Sequence, residues 1–289
     1  MSEANTERLH GTLVMLLTAT LWSTSGLGIK LVSWNPVAIT GARSLIAAVL
    51  LITFARRFSV PKTPAGVMAS ISYALCMLTF VIANKLTTSA NAIFLQYLSP
   101  AFVAVLGIAM LKEMPSRFDW AVLLGVLGGM TLFFIDRIGP GAMMGNVSAV
   151  ASGLCLAFFI IFMRIDSGQT GGRHTALDNM IFSHLLAAAM SLPAVLTSSM
   201  PDFPSMAGIL YMGVFQMGLA SILFPYGVRR LTAVGTSIIT LIEPVLNPVW
   251  VFLIIGEIPS LNAVIGGMII IVLVAVRSVV SIRRASVRA

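Results

Sequence analysis

The stretch YLSPAFVAVLGIAMLKEMPS at residues 97–116 recurs as LIEPVLNPVWVFLIIGEIPS at residues 241–260. Both copies carry a proline at the fourth position and end in Glu-x-Pro-Ser, with no gap between these marks. The copies begin at 97 and 241, an offset of 144 residues, which is half of the 289-residue chain. This offset indicates that the whole chain is a duplication.

The composition of the chain is that of a membrane protein. Apolar residues make up 58% of it, charged residues only 10%, and the mean hydropathy is +0.98. Apolar stretches of about 20 residues match the thickness of the hydrocarbon core of a bilayer. We predict an all-α membrane protein with ten transmembrane helices. These spans cover about 10–31, 36–55, 64–86, 88–111, 117–136, 143–165, 174–197, 204–227, 232–256 and 259–280.

The basic residues are distributed unevenly between the loops. With a cytoplasmic N-terminus, fourteen Lys and Arg residues fall in cytoplasmic segments, whereas Lys30, Lys85 and Arg137 fall on the opposite side. This bias follows the positive-inside rule and supports ten spans with both termini in the cytoplasm. The sequence pI near 10.2 therefore indicates orientation and contact with membrane lipids, and no nucleic-acid partner is expected.

Ten spans divide into two halves of five, and the Gly-Pro-Gly sequence at residues 139–141 marks the boundary. We assign residues 1–139 to the first repeat and residues 140–289 to the second. Because five is an odd number, the second repeat must lie upside down relative to the first, as in many secondary transporters. On this topology Glu113 is cytoplasmic and Glu257 is external.

Small residues in spans five and ten predict close helix packing. Gly125 and Gly129 are four residues apart in span five, and Gly266 and Gly267 are adjacent in span ten. We expect lateral packing within the chain rather than dimerisation.

Span nine has the sharpest polar pattern in the chain. Its polar and aromatic residues recur at steps of four, three, four and three, which places them on one helical face. A polar face is costly against lipid, so we expect it to point into the protein or a wet cavity. The residues of this face are Thr236, Thr240, Glu243, Asn247 and Trp250.

Prolines predict a break in the middle of spans four and nine. Pro100 and Pro244 each remove a backbone donor and crowd the preceding turn. Broken helices of this kind often line substrate sites in transporters, which makes both prolines candidates for gating. The alternative is that the nearby polar side chains only satisfy the kinked backbone.

The two copies resemble the repeats of EamA-type transporters of the drug/metabolite transporter superfamily, and Leu21-Trp22-Ser23 in span one fits them as well. The resemblance covers nearly the whole chain. It implies ten helices in a five-plus-five inverted repeat, around a central cavity formed by spans one to four and six to nine. Within this family the chain is most similar to bacterial amino-acid exporters, including those for aromatic amino acids.

Two positions depart from the family pattern. Lys112 replaces the small residue that usually precedes the glutamate, a change we expect to alter only the charge of the loop. Asn247-Pro248 adds a second proline to span nine, where it could change the break in that helix.

Glu243 is a carboxylate in mid-span, which must be paired, hydrated or protonated. Arg43 in span two is the one basic residue well inside a predicted span, so we expect the two to form a charge pair. Glu243 is a candidate for proton coupling or for binding a substrate amine. A structural ion pair and a cap on the broken helix are the alternatives.

Aromatic, methionine and amide residues on several spans complete a candidate substrate site. Such a lining suits an amphipathic solute with an apolar body and a polar end, although stripes of this kind also occur in helix packing. The candidate substrate-binding residues are Trp22, Ser25, Tyr73, Met77, Phe80, Gln96, Ser99, Phe158, Phe162, Gln216, Thr240, Glu243 and Asn247.

The predicted function is export of small amphipathic metabolites, with amino acids including aromatic ones as the leading cargo, by alternating access across a bacterial inner membrane. Cargo and direction are implied by the resemblance alone. Export or import of other metabolites or drugs, or passive uniport through a channel, is the alternative. An enzyme is not expected, because the three histidines have no metal-ligand spacing and no P-loop, GxSxG or HExxH motif occurs. No cofactor or metal is expected.

Overall fold

A computed structural model describes residues 3–24, 31–87, 89–136, 143–170, 173–256 and 260–286. These residues form helices with short connections, and no β-strand occurs among them. The first half contains α1 (Glu3–Ser23), α2 (Pro36–Ala55), α3 (Pro64–Leu86), α4 (Ser89–Gln96), α5 (Ser99–Leu111) and α6 (Arg117–Phe134). The second half contains α7 (Met143–Thr170), α8 (Arg173–Thr197), α9 (Phe203–Tyr211), a π-helix (Met212–Leu219), α10 (Ala220–Arg230), α11 (Ala233–Thr240), α12 (Ile242–Ile255) and α13 (Leu261–Ser286).

Eight helical segments of the described chain are long and apolar enough to cross a membrane. One of them joins α4 and α5 (Asn91–Leu111), and another runs through α9, the π-helix and α10 (Phe203–Arg230). A further apolar segment, Ala233–Leu246, is shorter. The chain is therefore an all-α, multi-pass membrane protein, as predicted, and the count of ten spans stays a prediction.

Helix starts follow from capping residues in the sequence. The side chains of Asn35 and Thr63 accept hydrogen bonds from N–H groups in the first turns of α2 and α3, and a proline follows each cap. Ser116 and Asp119 form a reciprocal capping box at the start of α6. These caps satisfy backbone donors that the helix itself leaves unpaired, so the starts are defined locally.

The two copies of the repeated stretch have the same interrupted backbone. α4 ends at Gln96 and α5 begins at Ser99, while α11 ends at Thr240 and α12 begins at Ile242. Leu98 (φ −70°, ψ −8°) and Leu241 (φ −66°, ψ −7°) adopt nearly the same turn at the two interruptions. Each proline of the repeat then lies in the first turn of the new helix, where its missing N–H costs least.

The C-terminal ends of α5 and α12 also correspond. Lys112 caps α5 with φ 55°, and Gly256 caps α12 with φ 79°. This is the left-handed region that glycine adopts without a steric cost. Lys112 therefore does more than change the charge of the loop: it carries a β-carbon into a backbone conformation suited to glycine.

The long helices of one half pack along helices of the other half. α3 lies against α7, α2 against α8, α6 against α13, and α1 against α10. The α6–α13 contact is close, because a β-carbon on Gly266 would meet the carbonyl oxygen of Gly129 at 2.5 Å. The glycine-based packing predicted for spans five and ten is confirmed.

Candidate functional site

An aromatic stack contributed by four helices occupies the core of the bundle. Trp22 of α1 lies 5.3 Å from Phe224 of α10, measured between ring centroids. Phe224 stacks on Phe159 of α7 at 5.1 Å, and Phe159 stacks on Tyr73 of α3 at 4.4 Å. Offset stacking of this kind adds to the stabilisation from burial. Trp22 and Tyr73 were predicted for the site, whereas Phe159 and Phe224 were not.

Arg43 of α2 is buried beside this stack. Its Nη1 donates a hydrogen bond to Oε1 of Gln216 at 3.4 Å, and its Nε has no hydrogen-bond partner. The predicted charge pair with Glu243 is not formed: both side chains are described, and no ion pair joins them. The two groups are still close enough to influence each other electrostatically. The structure thus leaves a buried guanidinium without a carboxylate.

Gln216 reaches Arg43 from the π-helix, and this segment packs tightly on α2. A β-carbon on Gly213 would meet Ile46 at 2.6 Å and the carbonyl oxygen of Arg43 at 3.2 Å. The glycine thus permits close approach of the two backbones. π-Helical turns inside α-helices are rare and occur often at functional sites.

Glu243, in the first turn of α12, interacts with the hydroxyl group of Tyr97. Tyr97 is buried at the interruption between α4 and α5. The two interrupted helices therefore come close to each other at one carboxylate and one phenol. Tyr97 was missed as a site residue, although it opens the first copy of the repeat.

His184 of α8 is a second residue that the sequence did not single out for the site. It is fully buried, its Nε2 lies 2.7 Å from the hydroxyl of Ser221, and its Nδ1 has no partner. Its ring packs edge-on against Tyr73 at 5.7 Å. The available signal was its position as a titratable residue inside predicted span seven.

Gln96 is engaged in contacts between helices. Its Nε2 donates to the hydroxyl of Ser152 on α7 at 2.7 Å and lies 3.7 Å from Sγ of Cys76 on α3. Ser152 in turn donates to the carbonyl oxygen of Cys76 at 3.0 Å. Gln96 therefore ties the end of α4 to its neighbours.

Other predicted residues lie at different depths in the bundle. Met77 is buried with its Sδ 4.0 Å from the hydroxyl of Ser44, and Ser99 is buried at the start of α5. Phe80 packs on a small alanine cluster of α3, α4 and α7. Phe158 and Phe162 stack on each other at 5.8 Å.

The remaining predicted positions belong mostly to span nine. The hydroxyl of Thr240 donates to the carbonyl oxygen of Ser237 within α11. Ser25 lies outside the described residues, and so does the side chain of Asn247. Trp250 donates from Nε1 to the hydroxyl of Ser23 on α1 at 2.7 Å, which joins α12 to α1.

Two ion pairs lie at one end of the bundle, and we call them the latch: Glu113 with Arg164, and Asp119 with Arg277. The carboxylate of Glu113 lies 3.2 Å from Nε of Arg164 and also accepts the N–H of Ala233 at 3.0 Å. The Asp119–Arg277 pair is 3.3 Å long. Through Glu113 the latch joins the connection after α5 to α7 and to the start of α11, and through Asp119 it joins α6 to α13.

Polar contacts at the opposite end are sparser among the described residues. Asn262 donates to both carboxylate oxygens of Asp136, at 3.0 and 3.1 Å. The pKa of Asp136 is lowered by hydrogen bonds from Ser260 and Asn262. Trp34 donates to the carbonyl oxygen of Ser199 at 2.7 Å.

Comparison with protein families matches the EamA-like transporter family to residues 9–135 and 143–278. The chain belongs to the EamA-like transporter family. Two relatives are each described as an "uncharacterized transporter". The one from Archaeoglobus fulgidus is 23% identical over 91% of this chain and 94% of its own. The one from Clostridium kluyveri is 23% identical over 91% of each chain.

A solved crystal structure shares the fold of this EamA-like transporter. The two chains superpose with a TM-score of 0.82 at 21% sequence identity, over 94% of this chain and 98% of the other. The family and the apolar helices together make the protein a membrane transporter.

A solute with both charged and apolar parts would match the side chains at the centre of this EamA-like transporter. Arg43 offers unused donors, Glu243 offers a carboxylate, and no ion pair joins the two. Tyr73 and the stacked rings beside it offer apolar surface. A solute that carries a cation, an anion and an apolar group would match all three.

Proposed function

We propose that this protein is a secondary transporter that exports small amphipathic metabolites, with amino acids including aromatic ones as the leading cargo. The observation that carries the proposal is the polar centre between two interrupted helices, where Arg43 and Glu243 lie beside an aromatic stack without forming an ion pair with each other. Charged groups inside a membrane protein are costly and mark substrate or ion pathways. Thirteen positions predicted for substrate binding, Ser25 and Asn247 included, stay candidates.

The helix contacts support ten spans in two inverted repeats of residues 1–139 and 140–289. If the two halves are exchanged, span three takes the place of span eight, and span six takes the place of span one. The contact of α3 with α7 then corresponds to the contact of α10 with α1. The same exchange turns α2–α8 and α6–α13 into themselves. All four contacts occur, and the family matches the two halves as separate stretches.

The latch supports transport by alternating access. On the proposed topology it lies at the cytoplasmic end, so this conformation is closed toward the cytoplasm. Pro100 and Pro244 would serve as hinges, because each begins a helix that is free to tilt against the preceding one. Breaking Glu113–Arg164 would release the start of α11 and open that end.

The positive-inside bias supports a topology with both termini in the cytoplasm. The proposal of a bacterial inner membrane rests on the resemblance to bacterial exporters. Small-molecule substrate and membrane lipids are the proposed partners. The transporter names of the relatives favour transport over catalysis.

Counterflow in proteoliposomes tests the proposal. Vesicles are loaded with excess unlabelled amino acid, and entry of the labelled form is followed for a panel of aromatic, aliphatic and charged amino acids. A carrier shows transient accumulation of label for a subset of the panel, whereas a channel equilibrates without stimulation by internal solute. Equal rates in empty and protein-containing vesicles across the panel would contradict amino-acid transport.

A further inference from the structure

We infer that Arg43 binds the carboxylate group of the substrate, so that this transporter selects solutes with an apolar body and a free carboxylate. The inference deepens the proposed function and rests on the same central site.

Arg43 and Arg277 are equally buried, each with 5% of its surface exposed. Arg277 is paired with Asp119 at 3.3 Å and also donates to the hydroxyl of Thr232. Arg43 has one amide oxygen at 3.4 Å and no carboxylate among the described residues within ion-pair distance. Arginine keeps its charge in proteins, so Arg43 cannot avoid this cost by losing a proton.

Three other arginines among the described residues each form an ion pair with a carboxylate. Arg57 pairs with Asp178, Arg164 with Glu113, and Arg230 with Glu7. All three arginines are more exposed than Arg43, yet each has a carboxylate. A buried cation without an anion is destabilising, and an anionic ligand would remove that cost.

The free donors of Arg43 suit a carboxylate. The guanidinium is a planar fork whose parallel N–H groups bind both oxygens of a carboxylate, and Nε is buried without a partner. Gln216, which lies on the π-helix, accepts a hydrogen bond from Nη1 on the other side of the guanidinium. The group is therefore oriented while part of its bonding capacity is unused.

The surroundings of Arg43 supply the apolar part of the site. Tyr73 and Glu243 both influence Arg43 electrostatically, which places them nearby. The hydroxyl of Tyr73 lies 3.9 Å from Sδ of Met217, next to Gln216 in the π-helix. A carboxylate on Arg43 would therefore have aromatic and thioether groups beside it.

Two matched ligands test the inference by binding, without transport. 3-Phenylpropionate carries a carboxylate, and 3-phenylpropionamide has the same body without the charge. Thermal unfolding of the purified protein in detergent is measured against the concentration of each. We expect the carboxylate to raise the Tm at concentrations at least about tenfold below those at which the amide acts. Only the carboxylate can form a charge pair with the buried guanidinium of Arg43.

Variants assign the effect to Arg43. Arg43→Gln should abolish the preference for the carboxylate, and Arg43→Lys, which keeps the charge but loses the fork, should retain part of it. Arg117→Gln makes the same chemical change at an exposed position and should behave as the wild type. If Arg43→Gln does not fold, as judged by size exclusion, the lysine variant and the ligand pair decide.

The outcomes separate this inference from the proposed function. Carboxylate binding that depends on Arg43, with no counterflow of any amino acid, supports the inference and contradicts the proposed cargo. Amino-acid counterflow with equal binding of acid and amide, or with a preference that survives Arg43→Gln, overturns the inference alone. Failure of the carboxylate to stabilise the wild type also overturns it.

Discussion

The segments 89–112 and 233–256 have the same backbone but use it differently. Both contain a short helix, an interruption, a longer helix and a left-handed end. In the first segment Gln96 is bound to the neighbouring α7, whereas the matching Thr240 bonds within its own helix. Ser99 of the first segment corresponds to Glu243 of the second. The carboxylate side chain of Glu243 is half-buried. The two segments therefore share a backbone shape, and we propose that the first has mainly a structural role while Glu243 of the second acts in transport.

The largest expected effect comes from removing the charge that only the second copy carries. Glu243→Gln should lower counterflow by roughly tenfold or more, because a half-buried carboxylate that we propose to act in binding is replaced by a neutral amide. If Glu243 also couples transport to protons, the variant should not respond to a pH gradient across the vesicle membrane.

The matching substitution in the first copy is Ser99→Ala, which should retain most of the activity. Equal losses in the two variants would contradict the division of roles between the copies. Full pH dependence in Glu243→Gln would exclude this residue as the proton carrier.

Gln96→Ala should cost stability more than Thr240→Ala at the corresponding position. The first removes a side-chain bond between helices and leaves Ser152 short of a donor, which costs about 1–2 kcal/mol. The second removes a bond within one helical turn. Thermal unfolding in detergent measures both, and a larger loss for Thr240→Ala would reverse the assignment.

Glu113→Gln should loosen the latch by about 1 kcal/mol, or roughly fivefold in the equilibrium between closed and open forms, since the pair with Arg164 is partly exposed. Ser237→Cys, buried in α11, reports opening through its alkylation rate from the cytoplasmic side once Cys76 and Cys155 are replaced by serine.

Glu257 holds the place of Glu113 in the second copy and lies outside the described residues. Glu257→Gln is the matched control, and it should not speed alkylation from the cytoplasmic side. Faster alkylation in both variants would show general destabilisation and not release of the latch.

Exchanging the residues that end α5 and α12 should change the stability of the protein in opposite directions at the two positions. Lys112→Gly removes a β-carbon from a left-handed position and should stabilise the protein by up to about 1 kcal/mol. Gly256→Lys introduces that β-carbon and should destabilise it by a similar amount. Shifts in Tm measure both changes, and stabilisation by Gly256→Lys would contradict the shared conformation.

The smallest effect concerns the caps of α3 and α9, which begin spans three and eight. Thr63 caps the first with a neutral side chain, and Asp202 caps the second. The pKa of Asp202 is lowered by hydrogen bonds from the side chain and backbone of Ser205. Because the folded-state pKa is lowered, this stabilisation is present above the unfolded pKa of about 4 and is lost as the pH falls further.

Asp202→Thr makes the second cap resemble the first. It should reduce slightly the drop in Tm between pH 6 and pH 3, compared with the wild type. An unchanged drop would mean that the cap does not contribute to the acid sensitivity of the fold.

Much of the fold could be predicted from local features. Residues 36–55 and 64–86 were predicted as spans and are α2 and α3, because a capping residue and a proline mark each start. The interruptions near Pro100 and Pro244 follow from the missing N–H of proline. The left-handed conformation of Lys112 was missed, since a lysine gives no sign of positive φ, although Gly256 in the second copy did.

The candidate site was predicted less well. Arg43, Gln216 and Glu243 were named from polarity within apolar spans, but the expected partner of Arg43 was wrong. Tyr97 and Phe159 lack a local signal that separates them from ordinary core residues. Their contacts depend on how helices from different halves are rotated against each other.

The sequence by itself determined the duplication, the membrane environment, and the starts and interruptions of the helices, because composition, capping and proline act within a few residues. Only the tertiary structure decided which polar groups meet. Arg43 and Gln216 are 173 residues apart in the chain, and Glu113 lies 120 residues from the N–H of Ala233 that it caps. Such contacts are set by the packing of helices across the two halves, which no local pattern records.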